Sequence, residues 1–481
     1  MNEMTNLFEL AKLIILPALL AVLTLSIKNT RLTGKLAPLF IWAQLAAAVS
    51  VLLPVLTGKV TRLDFLSGLS VDNLGACFIL LTTLVVACCL THADFFFSSA
   101  KALGTEYSAN RMKVFYASTC IFLMSMTTVF LCDNLGFLWI AIEATTLSSA
   151  PLVYFERSRH ALEATWKYLI VCSVGIAFAL LGTVFIFAAS QRGDMAQPTL
   201  SALDLLQNAS HLNFPLLRLG FIFCLLGYGT KAGIFPLHTW LPDAHSEAPA
   251  PASAMLSGSL LNCALFGIWK VSAIIVAANP QSHAFNLVAI LGTMTVVAAS
   301  LLLVRQHNLK RLWAYSSIEN VGLMLFAIGL GSGPLFFLQA VNHSLAKVAL
   351  FLLAGNIIQA TGTKKLSKLH GLLQNSPPCA IALALASLAV AGAPPFGSFV
   401  SEMSLLTLSL SDHRYYLALT IVIALAISFL AILTHTGKVI FGHGKQDFKN
   451  FSALRAALIP SLLVISSLAL GLTVDTSLWS K

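Results

Sequence analysis

A small set of charged side chains lies inside long apolar stretches of this sequence. An ionised side chain at the centre of a bilayer is costly, so such residues usually face a bundle interior or a water-filled cavity and mark paths for ions or protons. Carboxylates and amines placed together at that depth can take up and release protons, which is the chemistry that this pattern indicates. The residues are Glu143, Lys167, Lys231, Lys270, Glu319, Lys347 and Glu402.

Some of these charges have a structural alternative. Lys167 lies one turn after Glu163 near a predicted helix start, and Lys270 lies near the end of its apolar stretch. For both, an ammonium group that extends to the membrane interface is the alternative to a role in proton transfer. Lys12 is interpreted as interfacial. The charges that lie well inside their stretches are predicted to be functional: Glu143, Lys231, Lys347 and Glu402.

Acidic and basic groups that are buried together control each other's proton affinity. Burial favours the neutral form of both groups, whereas an opposite charge nearby favours the ionised form. A buried lysine therefore loses proton affinity when a glutamate moves away and regains it when the glutamate returns. We expect Lys231, which precedes the helix-breaking segment AGIFP, to hold and release a proton in this way.

Membrane-spanning helices must position these residues. Of the 481 residues, 57% are hydrophobic and 10% charged, and the mean hydropathy is +0.85, whereas soluble globular chains carry about 25% charged residues. Apolar runs of about 20 residues, long enough to cross ~30 Å of hydrocarbon, predict an all-α polytopic membrane protein with about fourteen transmembrane helices. The predicted spans are 7–27, 34–57, 72–92, 112–131, 133–154, 163–188, 215–242, 250–277, 284–304, 309–330, 335–360, 378–410, 416–441 and 454–473.

Two of these spans contain helix-breaking residues beside a charge. The segment AGIFP interrupts the seventh span directly after Lys231, and AGAPPFG interrupts the twelfth before Glu402. Because the two broken helices lie five spans apart, they predict two five-helix repeats of opposite orientation. The predicted units are 1–110 with spans 1 to 3, 111–280 with the first repeat of spans 4 to 8, 281–445 with the inverted repeat of spans 9 to 13, and 446–481 with span 14.

The distribution of basic residues predicts the orientation in the membrane. Lysine and arginine are concentrated in the loops after odd-numbered spans, such as Lys28, Arg31 and Lys35 after the first. The positive-inside rule places these loops in the cytoplasm and both termini on the periplasmic, outer side. The net charge of +10 follows from this topology and from attraction to anionic lipid, so no nucleic-acid partner is expected.

The sequence predicts no active site within this chain. No polar segment is long enough to fold as a separate domain, and no P-loop, dinucleotide fingerprint, nucleophile elbow or metal-spaced Cys/His group is present. Of the nine cysteines, almost all lie within spans and none forms a CxxC pair, which favours packing roles. We therefore expect no cofactor or metal site here, and any redox chemistry to belong to partner subunits.

Several motifs carry a resemblance to a known family. They are GYGTKAGIFPLHTWLPDAHSEAPAPASAMLSG, WIAIEATTLSS, RLWAYSSIENVGLM, NHSLAKVALFLLAGN and AGAPPFGSFVSE. They resemble the antiporter-like, proton-translocating subunits shared by respiratory complex I, multisubunit sodium/proton antiporters and membrane-bound hydrogenases. The resemblance covers roughly residues 110 to 410, and EATTLSS, ALEATWKYL and YSSIEN are most similar to hydrogenase-4 or formate hydrogenlyase component F.

The resemblance implies roles for individual residues. Glu143 matches the glutamate of the fifth span that pairs with the broken-helix lysine, here Lys231, and tunes its proton affinity. Lys347 matches a central lysine of the eleventh span, and Glu402 matches the terminal charged group of the twelfth. His238 matches a histidine just beyond the first break, where it extends a water chain.

One position departs from the complex I pattern. Asn262 stands where those members have a lysine in the eighth span, and an asparagine binds water but carries no proton. Lys270, two turns further on, is a weaker substitute. The remaining candidate relay residues are Lys167, Glu319 and His343.

Three functions are consistent with these observations. The preferred one is a proton-translocating membrane-arm subunit of a hydrogenase-4/formate hydrogenlyase-like complex in the bacterial inner membrane, driven by electron transfer in partner subunits. Its partners would be other membrane subunits, lipid, and peripheral hydrogenase and iron-sulfur subunits that hold a nickel-iron site and iron-sulfur clusters. The alternatives are a sodium/proton antiporter subunit, which needs no electron donor, and a non-pumping membrane anchor, which Asn262 favours.

Overall fold

The structure is a computed structural model that describes residues 3–27, 29–66, 68–195, 197–442 and 452–474. These residues form α-helices α1 to α19, short 3-10 and π turns, and one β-hairpin. The helices are α1 (Glu3–Ser26), α2 (Thr30–Leu56), α3 (Asn73–Ala102), α4 (Ala109–Leu131), α5 (Leu135–Val153), α6 (Arg159–Gln191), α7 (Ala202–Gln207), α8 (Phe214–Ala232), α9 (Trp240–Glu247), α10 (Ala250–Met255), α11 (Leu261–Ala278), α12 (Ala284–Val304), α13 (Leu309–Gly329), α14 (Gly333–Thr361), α15 (Leu372–Asn375), α16 (Pro377–Val390), α17 (Gly397–Ser411), α18 (Tyr415–Phe441) and α19 (Ala453–Thr473).

The helices confirm an all-α polytopic membrane protein with about fourteen spans. Within the described residues, ten helical stretches are long and apolar enough to cross a membrane by themselves. The other predicted spans correspond to α1, to α8 with α9, to α13 and to α16 with α17. Helix α13 carries charged residues, and a break interrupts both α8 with α9 and α16 with α17. These three spans therefore lack one long, purely apolar run.

The connection between α2 and α3 contains a β-hairpin that the sequence analysis did not predict. Strands β1 (Arg62–Leu66) and β2 (Leu69–Asp72) form an antiparallel hairpin. Asp72 ends the second strand and caps α3, because its carboxylate accepts a hydrogen bond from the Gly75 amide at 2.7 Å. Helix α3 also continues to Ala102, well past its predicted end at residue 92, and buries Phe96 and Phe97.

Small residues allow α6 and α8 to pack closely. A Cβ atom on Gly227 of α8 would lie 2.5 Å from the amide nitrogen of Ala179, and one on Gly182 of α6 would lie 2.7 Å from the Gly220 carbonyl oxygen. A side chain larger than hydrogen therefore does not fit at either position. Small residues at such crossings are what allows helices to approach each other closely in membranes. This contact places α6 beside the end of α8 that carries Lys231.

The predicted break in the seventh span is confirmed. Helix α8 ends at Ala232, and Gly233 follows in the left-handed conformation with φ 78°, which glycine adopts readily. The chain resumes as α9, and the Trp240 indole donates to the Thr230 carbonyl oxygen at 2.9 Å. A side chain beyond the break therefore binds a backbone group before it, as a broken helix within a membrane requires.

The predicted break in the twelfth span is also confirmed. Helix α16 ends at Val390, Gly392 has φ 70°, and α17 begins at Gly397. The Ser398 hydroxyl donates to the Ala389 carbonyl oxygen across this break. Both predicted breaks are therefore present at the predicted segments, whereas the division of the chain into two inverted repeats stays a prediction.

Candidate functional site

Lys231 lies in the last turn of α8, directly before the first break. Its side chain is fully buried, with 0% exposure. The Nζ atom donates hydrogen bonds to the Thr146 Oγ1 atom at 2.7 Å and to the Tyr168 hydroxyl at 2.8 Å. It also lies 4.8 Å from the centre of the Tyr168 ring, a distance at which an ammonium group is attracted to an aromatic face.

Glu143 is connected to Lys231 through a hydroxyl group. Its Oε2 atom accepts a hydrogen bond from Thr146 Oγ1 at 3.0 Å, and its Oε1 atom accepts one from Ser173 at 3.0 Å. No ion pair within 4.0 Å joins Glu143 to Lys231 in the part of the chain that the structure describes. The expected pairing is therefore indirect, with Thr146 between the two charged groups.

Tyr168 connects Lys231 to the neighbouring helices. Its hydroxyl lies 2.7 Å from the Ser149 hydroxyl of α5, which in turn donates to the Thr145 carbonyl oxygen at 2.7 Å. The Tyr168 ring packs against Trp240 of α9, with ring centres 4.9 Å apart. Tyr168 therefore contacts α5, α8 and α9 at once and restricts where the lysine can lie.

His238 lies in the segment between α8 and α9, as predicted. Its ring packs near Phe235, with centres 5.7 Å apart, and near Tyr315 of α13, with centres 6.2 Å apart. The Nδ1 atom is buried and has no hydrogen-bond partner among the described residues. The structure therefore places this histidine between the first break and α13.

Lys347 and Glu319 form a second buried site between α14 and α13. Lys347 is fully buried, and its Nζ atom donates to the Trp313 carbonyl oxygen at 3.3 Å. Glu319 accepts a hydrogen bond from the Ser428 hydroxyl of α18, and its second carboxylate oxygen has no hydrogen-bond partner among the described residues. Both charged groups are buried, and no ion pair within 4.0 Å joins them in the described part of the chain.

Asn262 and His343 meet at a π-helical turn that the sequence did not predict. The turn spans Leu256–Leu260, between α10 and α11. Its carbonyl oxygens contact α14: His343 Nε2 lies 3.1 Å from the Ser257 oxygen, and the Ser344 hydroxyl donates to the Gly258 oxygen at 2.6 Å. Asn262 donates to the same Gly258 oxygen at 3.2 Å. Such turns are frequent at functional sites because they free backbone groups for other partners.

Glu402 lies on α17, against the backbone of the second break. A Cβ atom on Gly392 would lie only 2.1 Å from the Glu402 Oε2 atom, so the carboxylate occupies the space that this glycine leaves open. The preceding residue, Ser401, donates to Gln339 Oε1 at 2.5 Å, and the Gln339 amide donates to Asn320 at 2.9 Å. A buried polar network therefore runs from α17 through α14 to α13, beside Glu402.

Lys167 and Lys270 have contacts of a different kind. Lys167 is partly exposed and forms an ion pair with Asp243 at 2.6 Å, and Asp243 also pairs with Arg311. Lys270 donates to the Cys132 carbonyl oxygen, at the end of α4, at 2.9 Å. In the described residues, no hydrogen bond or ion pair joins either lysine to Lys231 or Lys347. Their assignment as relay residues stays a prediction.

Sequence reasoning assigned no role to three buried residues that the structure brings to notice, and two of them contact Lys231. Thr146 and Tyr168 bind Lys231 directly. His245 of α9 is fully buried, and neither ring nitrogen has a hydrogen-bond partner among the described residues. A hydroxyl within an apolar span gives little signal, although the three-residue spacing between Glu143 and Thr146 would have placed both on one helix face.

Residues 132–428 match the family described as NADH:quinone oxidoreductase/Mrp antiporter, TM. The chain belongs to this family. The resemblance inferred from the motifs is therefore confirmed, and the matched region contains every candidate site residue named above.

Individual relatives support this placement, and one solved structure shares the fold. The chain is 36% identical over 401 residues to a hydrogenase-4 component F homolog of Methylacidiphilum infernorum, across 82% of this chain and 83% of the relative. It is 29% identical over 391 residues to the Na(+)/H(+) antiporter subunit A1 of Staphylococcus saprophyticus, and the match covers 74% of this chain and 47% of that relative. A chain of the membrane-bound sulfane sulfur reductase, an archaeal respiratory membrane complex, has the same fold, with a TM-score of 0.85, 22% identity and coverage of 98% of this chain and 95% of that chain.

Proposed function

We propose that this chain is a proton-translocating membrane-arm subunit of a hydrogenase-4/formate hydrogenlyase-like respiratory complex in the bacterial inner membrane, with both termini on the periplasmic side. The observation that carries the proposal is the fully buried Lys231, joined through Thr146 to Glu143 beside a helix break. The similarity to a hydrogenase-4 component F homolog supports the type of complex.

The geometry supports proton storage and release at Lys231. Its partners are two neutral hydroxyl groups, and the opposite charge of Glu143 lies beyond one of them. A movement of α5 relative to α8 would change the distance between the charges, and with it the balance between the ionised and neutral forms. Electron transfer in partner subunits would supply this movement as a conformational or electrostatic pulse.

Partner subunits would supply the redox chemistry. Peripheral hydrogenase and iron-sulfur subunits would hold the nickel-iron site and the iron-sulfur clusters, while this chain would move protons. The outer surface of the bundle carries exposed apolar side chains such as Leu39, Leu147, Ile170 and Leu430. Such a surface suits lipid and neighbouring membrane subunits.

The experiment measures redox-driven proton uptake in inverted membrane vesicles that contain the complete complex. In the Lys231→Ala variant we expect electron transfer to continue and coupled proton uptake to be lost. Lys59→Ala is the matched control, because Lys59 lies exposed in a loop, and its proton uptake should equal that of the unaltered complex. Coupled uptake at the normal rate in the Lys231→Ala complex would refute the proposal.

Two specific observations favour other functions. The similarity to an Na(+)/H(+) antiporter subunit favours a sodium/proton antiporter component, and sodium-dependent proton release from proteoliposomes without a redox partner would establish it. Asn262, bonded to Gly258 and close to Ser344, favours a non-pumping anchor. Normal assembly and electron transfer of the unaltered complex, without proton movement, would establish the anchor.

A further inference from the structure

Thr146 lies between Lys231 and Glu143, the two charged groups of the first site. In the part of the chain that the structure describes, it is the side chain that is hydrogen-bonded to both Lys231 and Glu143. It lies three residues after Glu143 on α5, so both side chains project from one face of the helix. The hydroxyl of Thr146 therefore separates the ammonium group from the carboxylate.

The chemistry of the three groups fixes the direction of each hydrogen bond. An ammonium group only donates, an ionised carboxylate only accepts, and a hydroxyl can do both at once. With both groups ionised, Lys231 Nζ donates to Thr146 Oγ1 at 2.7 Å, and Oγ1 donates to Glu143 Oε2 at 3.0 Å. This is an aligned donor–acceptor chain over which a proton can pass without any heavy atom moving far.

We propose that Thr146 is the relay through which Lys231 and Glu143 exchange a proton, an inference that rests on the function proposed above. One Nζ–H bond of Lys231 breaks as its proton binds to Thr146 Oγ1. The original Oγ1–H bond breaks as that proton binds to Glu143 Oε2. An ammonium and a carboxylate become a neutral amine and a carboxylic acid, the hydroxyl is restored, and no electron is transferred.

The second hydroxyl that binds Lys231, that of Tyr168, does not offer such a route. From Lys231, the contacts pass through the Tyr168 hydroxyl and Ser149 to the carbonyl oxygen of Thr145. A backbone carbonyl is not a titratable group, so this chain ends without a site that can keep a proton. Tyr168 is therefore a positioning residue for the lysine, and the Thr146 hydroxyl connects the two titratable groups.

The neutral pair also suits the surroundings of the site. Lys231 is fully buried, and burial disfavours the charged form of both an amine and a carboxyl group. Transfer through Thr146 removes both charges together. The site can therefore alternate between an ionised and a neutral state of equal net charge, which a small movement of α5 or α8 would bias.

Adjacent threonines on α5 offer a matched set of variants. Thr146→Val removes the hydroxyl and keeps the shape of the side chain, whereas Thr146→Ser keeps a hydroxyl. Thr145→Val is the control, because the Thr145 hydroxyl donates to the Ile142 carbonyl oxygen of its own helix at 2.6 Å. Redox-driven proton uptake is measured for each variant in the complete complex in inverted vesicles, with Lys231→Ala as the control for the function itself.

Thr146→Val is expected to lower coupled proton uptake at least about tenfold, because positioned proton donors and acceptors commonly contribute more than that. Thr146→Ser and Thr145→Val should stay close to the unaltered complex. A purely space-filling role for Thr146 predicts the opposite order, with the isosteric valine tolerated better than serine. If the valine variant does not assemble, Thr146→Cys replaces it, since a thiol of similar size is a weak donor and acceptor and should also lower uptake.

The outcomes separate the relay from the function. Normal uptake by Thr146→Val or Thr146→Cys, together with loss in Lys231→Ala, overturns the relay and leaves the proposed function standing. Normal uptake in Lys231→Ala overturns the proposed function and the relay with it. Loss in Thr146→Val and in Lys231→Ala, with rescue by serine, supports both.

Discussion

The second helix break offers a substitution that displaces Glu402 without changing it. Gly392 has φ 70°, and an added Cβ atom would lie 2.1 Å from Oε2 and 2.7 Å from Cδ of Glu402. Gly362, at the end of α14, has φ 68° and no neighbouring heavy atom within 4 Å of an added Cβ atom. Gly392→Ala and Gly362→Ala therefore share the backbone strain and differ in the contact with the carboxylate.

The magnitudes follow from these contacts. A residue other than glycine in the left-handed conformation costs about 1–2 kcal/mol, and this applies to both variants. At Gly392 the contact of 2.1 Å is far shorter than the 3.4–4 Å of ordinary van der Waals contact, so the carboxylate of Glu402 must move by more than ~1 Å. A misplacement of that size can lower the rate of a reaction at an oriented group on the order of 100-fold.

The assay combines thermal unfolding in detergent with redox-driven proton uptake in inverted vesicles. We expect both alanine variants to lower the apparent Tm, since both introduce strain at a positive φ. Only Gly392→Ala should also lower coupled proton uptake strongly, while electron transfer in the partner subunits continues. Glu402→Gln, which keeps the size of the side chain, should lower uptake as well.

Equal proton uptake in Gly392→Ala and Gly362→Ala would refute this reasoning. It would mean either that the Glu402 carboxylate does not take part in the path or that its position at the break is unimportant. Normal uptake in Glu402→Gln would identify the first of these explanations, and loss in Glu402→Gln would identify the second.

Two further predictions concern packing and buried polar groups. Ser428→Ala removes the hydroxyl that donates to the buried Glu319 and should lower the free energy of unfolding by about 1–3 kcal/mol. The loss should shrink in a Glu319→Leu background, where the acceptor is absent, and an unchanged loss in this double-mutant cycle would show that the contact is unimportant. Gly227→Ala should sharply reduce the yield of folded protein in size-exclusion chromatography, because the new Cβ atom would lie 2.5 Å from the Ala179 backbone. Gly437→Ala is the control and should be tolerated, because Gly437 has open space around it. Equal yields of the two variants would contradict the close packing of α6 on α8.

The sequence by itself determined the order of the membrane spans and the positions of the two helix breaks. A bilayer requires about 20 apolar residues for each helix and leaves no partners for exposed backbone groups, so the spans and their breaks are local properties. The end of α8 at Ala232 and the interruption between α16 and α17 both lie where glycine and proline predict them. The buried charges at positions such as Lys231 and Lys347 are equally visible, because they interrupt apolar runs.

Only the tertiary structure decided which of these charges meet, and through which atoms. Thr145 and Thr146 are adjacent and chemically identical, yet one hydroxyl bonds to its own helix and the other connects Glu143 to Lys231. Since a threonine in a helix can satisfy its hydroxyl locally, sequence alone cannot distinguish the two. The choice depends on the distance between α5 and α8, which is set by the packing of many small side chains at once.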